Sequence, residues 1–82
     1  MPLKYHFKVS AYEFDLSKEE VEHRLRNVEP EEVRKLFVTV SRRRYPVKQA
    51  LSAVKPNLLR SAFTSSEAIR VFKKLGFVVG QV

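Results

Sequence analysis

The chain has 82 residues, of which 44% are hydrophobic and 30% charged, and it contains no cysteine. This composition is typical of a globular protein, and the length suits one domain, 1–82. The lack of cysteine excludes disulfides, thiolate metal sites and cysteine nucleophiles. No apolar run approaches the roughly 20 residues of a membrane-spanning helix. We therefore expect a small cytoplasmic protein with no membrane partner.

Charge is divided unevenly along the chain. Residues 1–41 contain seven Lys/Arg and eight Asp/Glu, a balance of −1. Residues 42–82 contain nine Lys/Arg and a single acid, Glu67, a balance of +8, and the two halves give the net charge of +7. A strongly basic half favours a polyanionic partner, with nucleic acid first and an anionic membrane surface second. The membrane surface is set aside because the basic last helix lacks the large exposed aromatic face that membrane-binding helices use.

The first half predicts one strand and two short helices. Tyr5–Ser10 alternates apolar and polar residues, as a half-buried strand does, and this strand can continue to Phe14. Ser17–Glu20 has the spacing of a capping box and starts a first helix, whose apolar stripe would be Val21, Leu25 and Val28. Pro30 opens a second helix, whose apolar stripe would be Val33, Leu36 and Phe37.

A hairpin and a third helix are predicted next. The β-branched segment Val38–Val40 favours a strand, which Ser41-Arg42 turns into a return strand, Arg43–Tyr45. Tyr45 precedes a proline at an element boundary and is expected to pack inward. Pro46 begins the third helix and Pro56 ends it. Its inward residues would be Val47, Ala50, Leu51 and Val54.

The end of the chain carries the clearest local signal. Thr64–Glu67 is a second capping box, with Phe63 as the staple residue before it. The helix that it starts would bury Ala68, Ile69, Phe72 and Leu75. Gly76 fits the left-handed residue after that helix, and Phe77–Val79 would be a closing strand. The order β-α-α-β-β-α-α-β predicts a small α+β domain with a small, mainly antiparallel sheet.

Cations in the basic half group by element. Arg42–Arg44 lie at the predicted hairpin tip, where three adjacent like charges repel unless an anion binds. Arg70, Lys73 and Lys74 share one helix face by their spacing. Ser65 and Ser66 offer amides and hydroxyls to a phosphate at a helix N-terminus. The candidate nucleic-acid-binding residues are Arg42, Arg43, Arg44, Lys48, Lys55, Arg60, Ser65, Ser66, Arg70, Lys73 and Lys74.

Catalysis and metal binding are not indicated by any motif. His6 and His23 lack the spacing of a metal pair, and the glutamates stand mostly at helix starts or on solvent-facing positions. The chain has only two glycines, which excludes a glycine-rich phosphate loop. We expect a non-enzymatic protein without a metal or cofactor.

The segment Val38–Lys48, followed by Phe63-Thr64 and Leu75–Phe77, resembles a small prokaryotic module. The shared pattern is a strand, a basic turn, Tyr-Pro-x-Lys, a helix, Phe-Ser/Thr, a further helix and Leu-Gly-Phe. About half of the chain is similar to uncharacterised bacterial proteins and to the N-terminal region of modification-dependent restriction endonucleases of the HNH type. Ser41 departs from the glycine-like turn of that pattern, and a His-Asn-His nuclease portion is lacking. The resemblance implies a DNA-recognition or accessory module whose basic hairpin and Lys48 face the nucleic acid.

These observations lead to two expected functions. The first is binding of nucleic acid, with DNA favoured over RNA and double-stranded DNA favoured most, through phosphate contacts of the basic hairpin and the basic last helix. The second is a protein-interaction or dimerisation module, in which acidic and basic halves pair with complementary surfaces of a second copy or a larger partner.

Overall fold

The computed structural model describes residues 4–82, so the first three residues of the predicted domain 1–82 lie outside the described part. The strands are β1 (Lys4–Val9), β2 (Tyr12–Ser17), β3 (Leu36–Val40), β4 (Arg43–Pro46) and β5 (Val78–Gln81). The helices are α1 (Lys18–Leu25), α2 (Val47–Val54) and α3 (Ser65–Leu75), with a 3₁₀ turn at Arg60–Ala62. Within residues 4–82, every helix is too short or too polar to span a membrane.

The strands form two antiparallel sheets rather than the single sheet that was expected. β1 pairs with β2 alone, whereas β3 is the central strand between β4 and β5. Both sheets and all three helices contribute to one buried apolar cluster. The α+β class, the antiparallel pairing and most of the element order are therefore confirmed.

The first predicted strand is in fact a hairpin. β1 and β2 pair from Lys4 opposite Ser17 to Val9 opposite Tyr12, around a turn at residues 10–11. Tyr5, Phe7 and Val9 on β1 pack on the core, and so do Phe14 and Leu16 on β2. The turn was missed because it contains none of the glycine, proline, asparagine or aspartate residues that usually mark one.

The prediction of a second helix from Pro30 is wrong. The segment before Leu36 is an irregular connection, and Leu36 itself begins β3. Tyr45, which is 1% exposed as expected, holds the start of this connection from β4. Its hydroxyl donates to the carbonyl oxygens of Leu25 and Val28, both at 3.0 Å. This pair of bonds fixes the path of the chain as it leaves α1.

A buried glutamine on α2 holds the next part of the same connection. Gln49 is 6% exposed, and its amide nitrogen donates to the carbonyl of Glu29 at 2.8 Å. Its amide oxygen accepts from the backbone N–H of Glu31 at 2.9 Å. The side-chain amide of Gln49 thus makes the hydrogen bonds that a backbone amide of a neighbouring strand would make. These two bonds hold the connection against α2.

The predictions for α2 and α3 are largely confirmed. All four inward residues expected on α2 are buried, and on α3 only Ile69 is partly exposed. The Thr64 hydroxyl accepts from the N–H of Glu67 at 3.2 Å, and the Glu67 carboxylate accepts from the N–H of Thr64 at 2.9 Å. Gly76 has φ 92°, and Phe77 then packs edge-on against the last turn of α3.

Candidate nucleic-acid interface

The hairpin between β3 and β4 places three arginines in solvent. Its turn is Ser41-Arg42, as predicted, and both residues have left-handed backbone angles, with φ of 51° and 68°. Two consecutive left-handed residues suit the right-handed twist of the flanking strands. Arg42, Arg43 and Arg44 are all exposed, and none makes an ion pair with another described residue.

Arg42→Gly is expected to raise the free energy of unfolding by about 0.5–1 kcal/mol, or a few degrees in Tm. The left-handed conformation costs a residue with a side chain about 1–2 kcal/mol, and the greater unfolded-state freedom of glycine offsets about 0.5–1 kcal/mol of this gain. Arg43→Gly, outside the left-handed turn, is the control and should instead lower stability. Thermal melts of both variants measure this, and a destabilised Arg42→Gly would show that the turn is unstrained.

Arg44 is held against the outer face of the three-stranded sheet. Its guanidinium carbon lies 4.6 Å from the ring centroid of Phe37 on the central strand. The far end of that ring rests on Gly80 of β5, where an added Cβ would stand 2.6 Å from Cζ. The glycine therefore provides the space that the end of the ring occupies, and the ring positions the guanidinium.

Lys48 lies at the opposite end of β4, beside a surface cleft of about 350 Å³. We call this the lysine cleft, and its lining residues are Glu31, Glu32, Arg34, Lys35, Leu36, Pro46, Val47, Lys48 and Ser65. The irregular connection thus brings Arg34 and Lys35 beside Lys48. Neither residue was among the predicted site residues, because both belong to the acid-rich half, in which the charges nearly cancel. No motif in that half indicates that they lie beside Lys48.

The cations of α3 divide between two flanks of the helix. Arg70 is exposed on the outer face. Lys73 leans toward β5 and lines a depression of about 210 Å³ with Gly80. Lys74 leans the other way, with its amine 5.6 Å from the ring centroid of Tyr5 on β1. All three cations are exposed, and Lys73 and Lys74 lie toward different neighbours, β5 and the first hairpin.

The N-terminus of α3 already carries an anion. The Glu67 carboxylate accepts the backbone N–H of Thr64, and this bond lowers the pKa of Glu67 below its usual value. The predicted phosphate seat at Ser65 and Ser66 is therefore disfavoured, because a phosphate would face that carboxylate. Ser65 contributes only to the wall of the lysine cleft, and Ser66 is exposed beyond it.

Two of the predicted binding cations are paired with glutamates from the first half. Arg60 makes two bonds to the Glu31 carboxylate, at 2.9 and 2.7 Å, and these lower the pKa of Glu31. Lys55 lies 3.3 Å from the Glu20 carboxylate, which therefore does not complete the predicted capping box at Ser17. Neither cation is an unpaired charge, so both are weak members of the candidate site.

Four of the remaining cations are linked through shared neighbours. Leu36 lines both the lysine cleft, which holds Lys35 and Lys48, and the depression beside Lys73. That depression includes Gly80, which touches the ring of Phe37, and Arg44 lies over the same ring. We call the basic belt the group formed by these four cations, the hairpin residues Arg42 and Arg43 next to Arg44, and Arg70, one turn before Lys73 on α3: Lys35, Arg42, Arg43, Arg44, Lys48, Arg70 and Lys73.

A further cation lies beside the hairpin on its other side. Arg26, which follows α1, lines a small surface depression of about 210 Å³ together with Arg43. This arginine also belongs to the acid-rich half, so the count of charges by sequence position concealed it. Its placement extends the positive potential of the hairpin toward α1.

His6 is paired with carboxylates on the first hairpin. Among residues 4–82, no group of three or more His, Asp or Glu side chains has an arrangement that could hold a metal ion. His6 is hydrogen-bonded to Asp15 at 2.9 Å and to Glu13 at 3.3 Å on the outer face of the first hairpin. These two carboxylates raise the pKa of His6, with Asp15 contributing most.

The similarity of this chain to known proteins is found in a family model. No curated protein and no solved structure matches the chain. The resemblance to HNH-type restriction endonucleases is not addressed by these comparisons and stays a prediction. A family model described as SCO5918-like matches residues 7–82, which include every element of both sheets and all three helices except the first residues of β1. The chain therefore belongs to the SCO5918-like family.

Proposed function

We propose that this protein is a cytoplasmic, non-enzymatic nucleic-acid-binding module that holds double-stranded DNA by its phosphates. The observation that carries the proposal is the basic belt. Of the nine Lys/Arg in residues 42–82, two form ion pairs with described residues, which leaves seven without one. Six of these seven lie on the belt, joined there by Lys35.

The arrangement of acids supports the same proposal. Glu20 and Glu31 are paired with Lys55 and Arg60, Glu32 in the lysine cleft is paired with Arg34 at 3.8 Å, and Glu67 caps α3. Acids on the first hairpin face His6, on a different sheet from the belt arginines. A surface whose cations lack protein counterions accumulates solution anions, and a polyphosphate that displaces them gains the entropy of their release.

The geometry suits an extended anion more than a small one. The belt runs from the lysine cleft, at the start of α2, to the hairpin tip, at the far end of β4. The two ends of this path are separated by the length of β4, in a molecule that measures 29 × 28 × 20 Å. A duplex presents a charge about every 1.7 Å along its axis, which matches a series of separated cations better than any single phosphate does.

Fluorescence anisotropy with a labelled DNA duplex, at low salt and with the intact chain, tests this proposal. We expect saturable binding, with a weaker signal for an uncharged peptide-nucleic-acid duplex of the same sequence because it has no phosphates. The same titration with an RNA duplex measures the expected preference for DNA. No binding of either natural duplex at low salt would overturn the proposal and favour a protein partner instead.

A further inference from the structure

The outer face of the three-stranded sheet is open to solvent. Val38, Val40 and Tyr45 point into the core, so their neighbours along each strand point the opposite way. The strand register places Phe37 beside Gly80, and Thr39 between Arg44 and Val78. Val78 on this face is 69% exposed. The sheet therefore presents an aromatic ring, a guanidinium and an exposed aliphatic side chain to the solvent.

This face is organised by the contact between one ring and one guanidinium. The Phe37 ring lies on Gly80 because no side chain occupies that position. Arg44 lies over the ring at 4.6 Å, so its planar guanidinium is held by a π surface while the belt keeps the local potential positive. Both a phenyl ring and a guanidinium plane are surfaces on which nucleic-acid bases stack.

The positive charge of this face favours one kind of binding partner over another. A second copy docked symmetrically on it would bring two Arg44 side chains and two hairpin tips together, and no carboxylate on the face would offset their repulsion. An unpaired nucleotide supplies both a π surface for the stack and a phosphate for the neighbouring cations.

We propose that the outer sheet face holds an unpaired base of a nucleic acid, stacked on the pair formed by Phe37 and Arg44. This inference rests on the proposed function and adds to it a substrate feature, a single-stranded or unstacked nucleotide. Phosphates that flank the base contact Arg42 at the hairpin tip. Thr39, beside Arg44 in the register, offers a hydroxyl to the edge of the base.

The test compares three ligands of equal length: a single-stranded oligothymidylate, the same backbone without bases, and a duplex. Arg44→Lys keeps the charge but removes the guanidinium plane, and Phe37→Leu keeps an apolar side chain but removes the ring. Each substitution should weaken binding of the oligothymidylate about tenfold. Affinities for the base-free backbone and the duplex should change less than about twofold, since their contacts are with phosphates.

Arg24→Lys is the matched control, since it makes the same exchange at an exposed position on α1, outside both the sheet face and the basic belt. It should leave all three affinities nearly unchanged. Equal losses on all three ligands, or no loss on the oligothymidylate, would overturn the stacking inference while leaving phosphate binding intact. Failure of the wild-type chain to bind any of the three would overturn both proposals.

Discussion

Replacing Arg42, Arg43 and Arg44 together by alanine is expected to raise the Kd for duplex DNA about 10- to 100-fold at low salt. All three side chains are exposed and lack ion pairs within the described residues, so their charge is available to phosphates. Loss of three phosphate contacts should also reduce the salt slope of binding by about three. Anisotropy titrations at several salt concentrations measure both quantities.

The matched control removes the same amount of charge from the other half of the chain. Lys4, Lys8 and Arg24 are exposed on β1 and α1, away from the basic belt. Their triple replacement by alanine should change the Kd much less, although the net charge falls equally. Similar losses for the two triple variants would show that only net charge matters, and would contradict a localised interface.

Stability must be measured beside affinity in the arginine variant. The contact between Arg44 and Phe37 is worth about 0.5–1 kcal/mol at an exposed site, so a small decrease in Tm is expected. None of the three arginines belongs to the buried cluster, so the domain should stay folded. A folded variant with weakened binding separates the role of the arginines in the interface from any role in folding.

Gln49→Leu is expected to lower the free energy of unfolding by about 2 kcal/mol, because it leaves a partly buried donor and a partly buried acceptor without partners. The donor is the N–H of Glu31 and the acceptor is the carbonyl of Glu29. For a domain of this size the loss corresponds to a decrease in Tm of about 8–16 °C. Thermal or urea denaturation followed by circular dichroism measures it.

The same substitution should weaken duplex binding, because the connection that Gln49 holds also carries Arg34 and Lys35 into the lysine cleft. Gln81→Leu is the control: it makes the same chemical change on an exposed residue and should alter stability by less than about 0.5 kcal/mol. A Gln49→Leu variant as stable as the wild type would mean that the connection is held by other contacts.

Local signals in the sequence predicted the elements that depend on local interactions. The capping box at Thr64, the left-handed Gly76 and the proline before α2 act within a few residues, and each predicted an element boundary that the structure confirms. The two-residue turn at Ser41-Arg42 is also confirmed, although neither residue favours positive φ. The β-branched segment Val38–Val40 before it was enough to indicate it.

The second helix shows where local signals fail. An apolar stripe that includes Leu36 and Phe37 fits a helix, but the two residues also fit a strand, with one on each face. Tertiary hydrogen bonds favour the strand over the helix. The side chains of Tyr45 and Gln49 bind backbone groups 17–20 residues earlier in the chain. Hydrogen bonds at that separation leave no periodic pattern in the sequence.

The candidate site was predictable only in part for a similar reason. Arginines that are adjacent in the chain, as in the hairpin, stay adjacent in the fold. Pairing of Lys55 and Arg60 with distant glutamates depends on tertiary contacts, and so does the arrival of Arg34 and Lys35 beside Lys48. The count of charges along the sequence therefore predicted a basic surface, but it did not predict all of the residues that form it.

The dependence of duplex affinity on salt tests most directly whether the basic belt binds phosphates. If about four to six phosphates are contacted, the logarithm of the association constant should fall against the logarithm of the KCl concentration with a slope of about −4 to −5. A slope near zero, or no measurable binding at low salt, would contradict a phosphate-binding role for the belt.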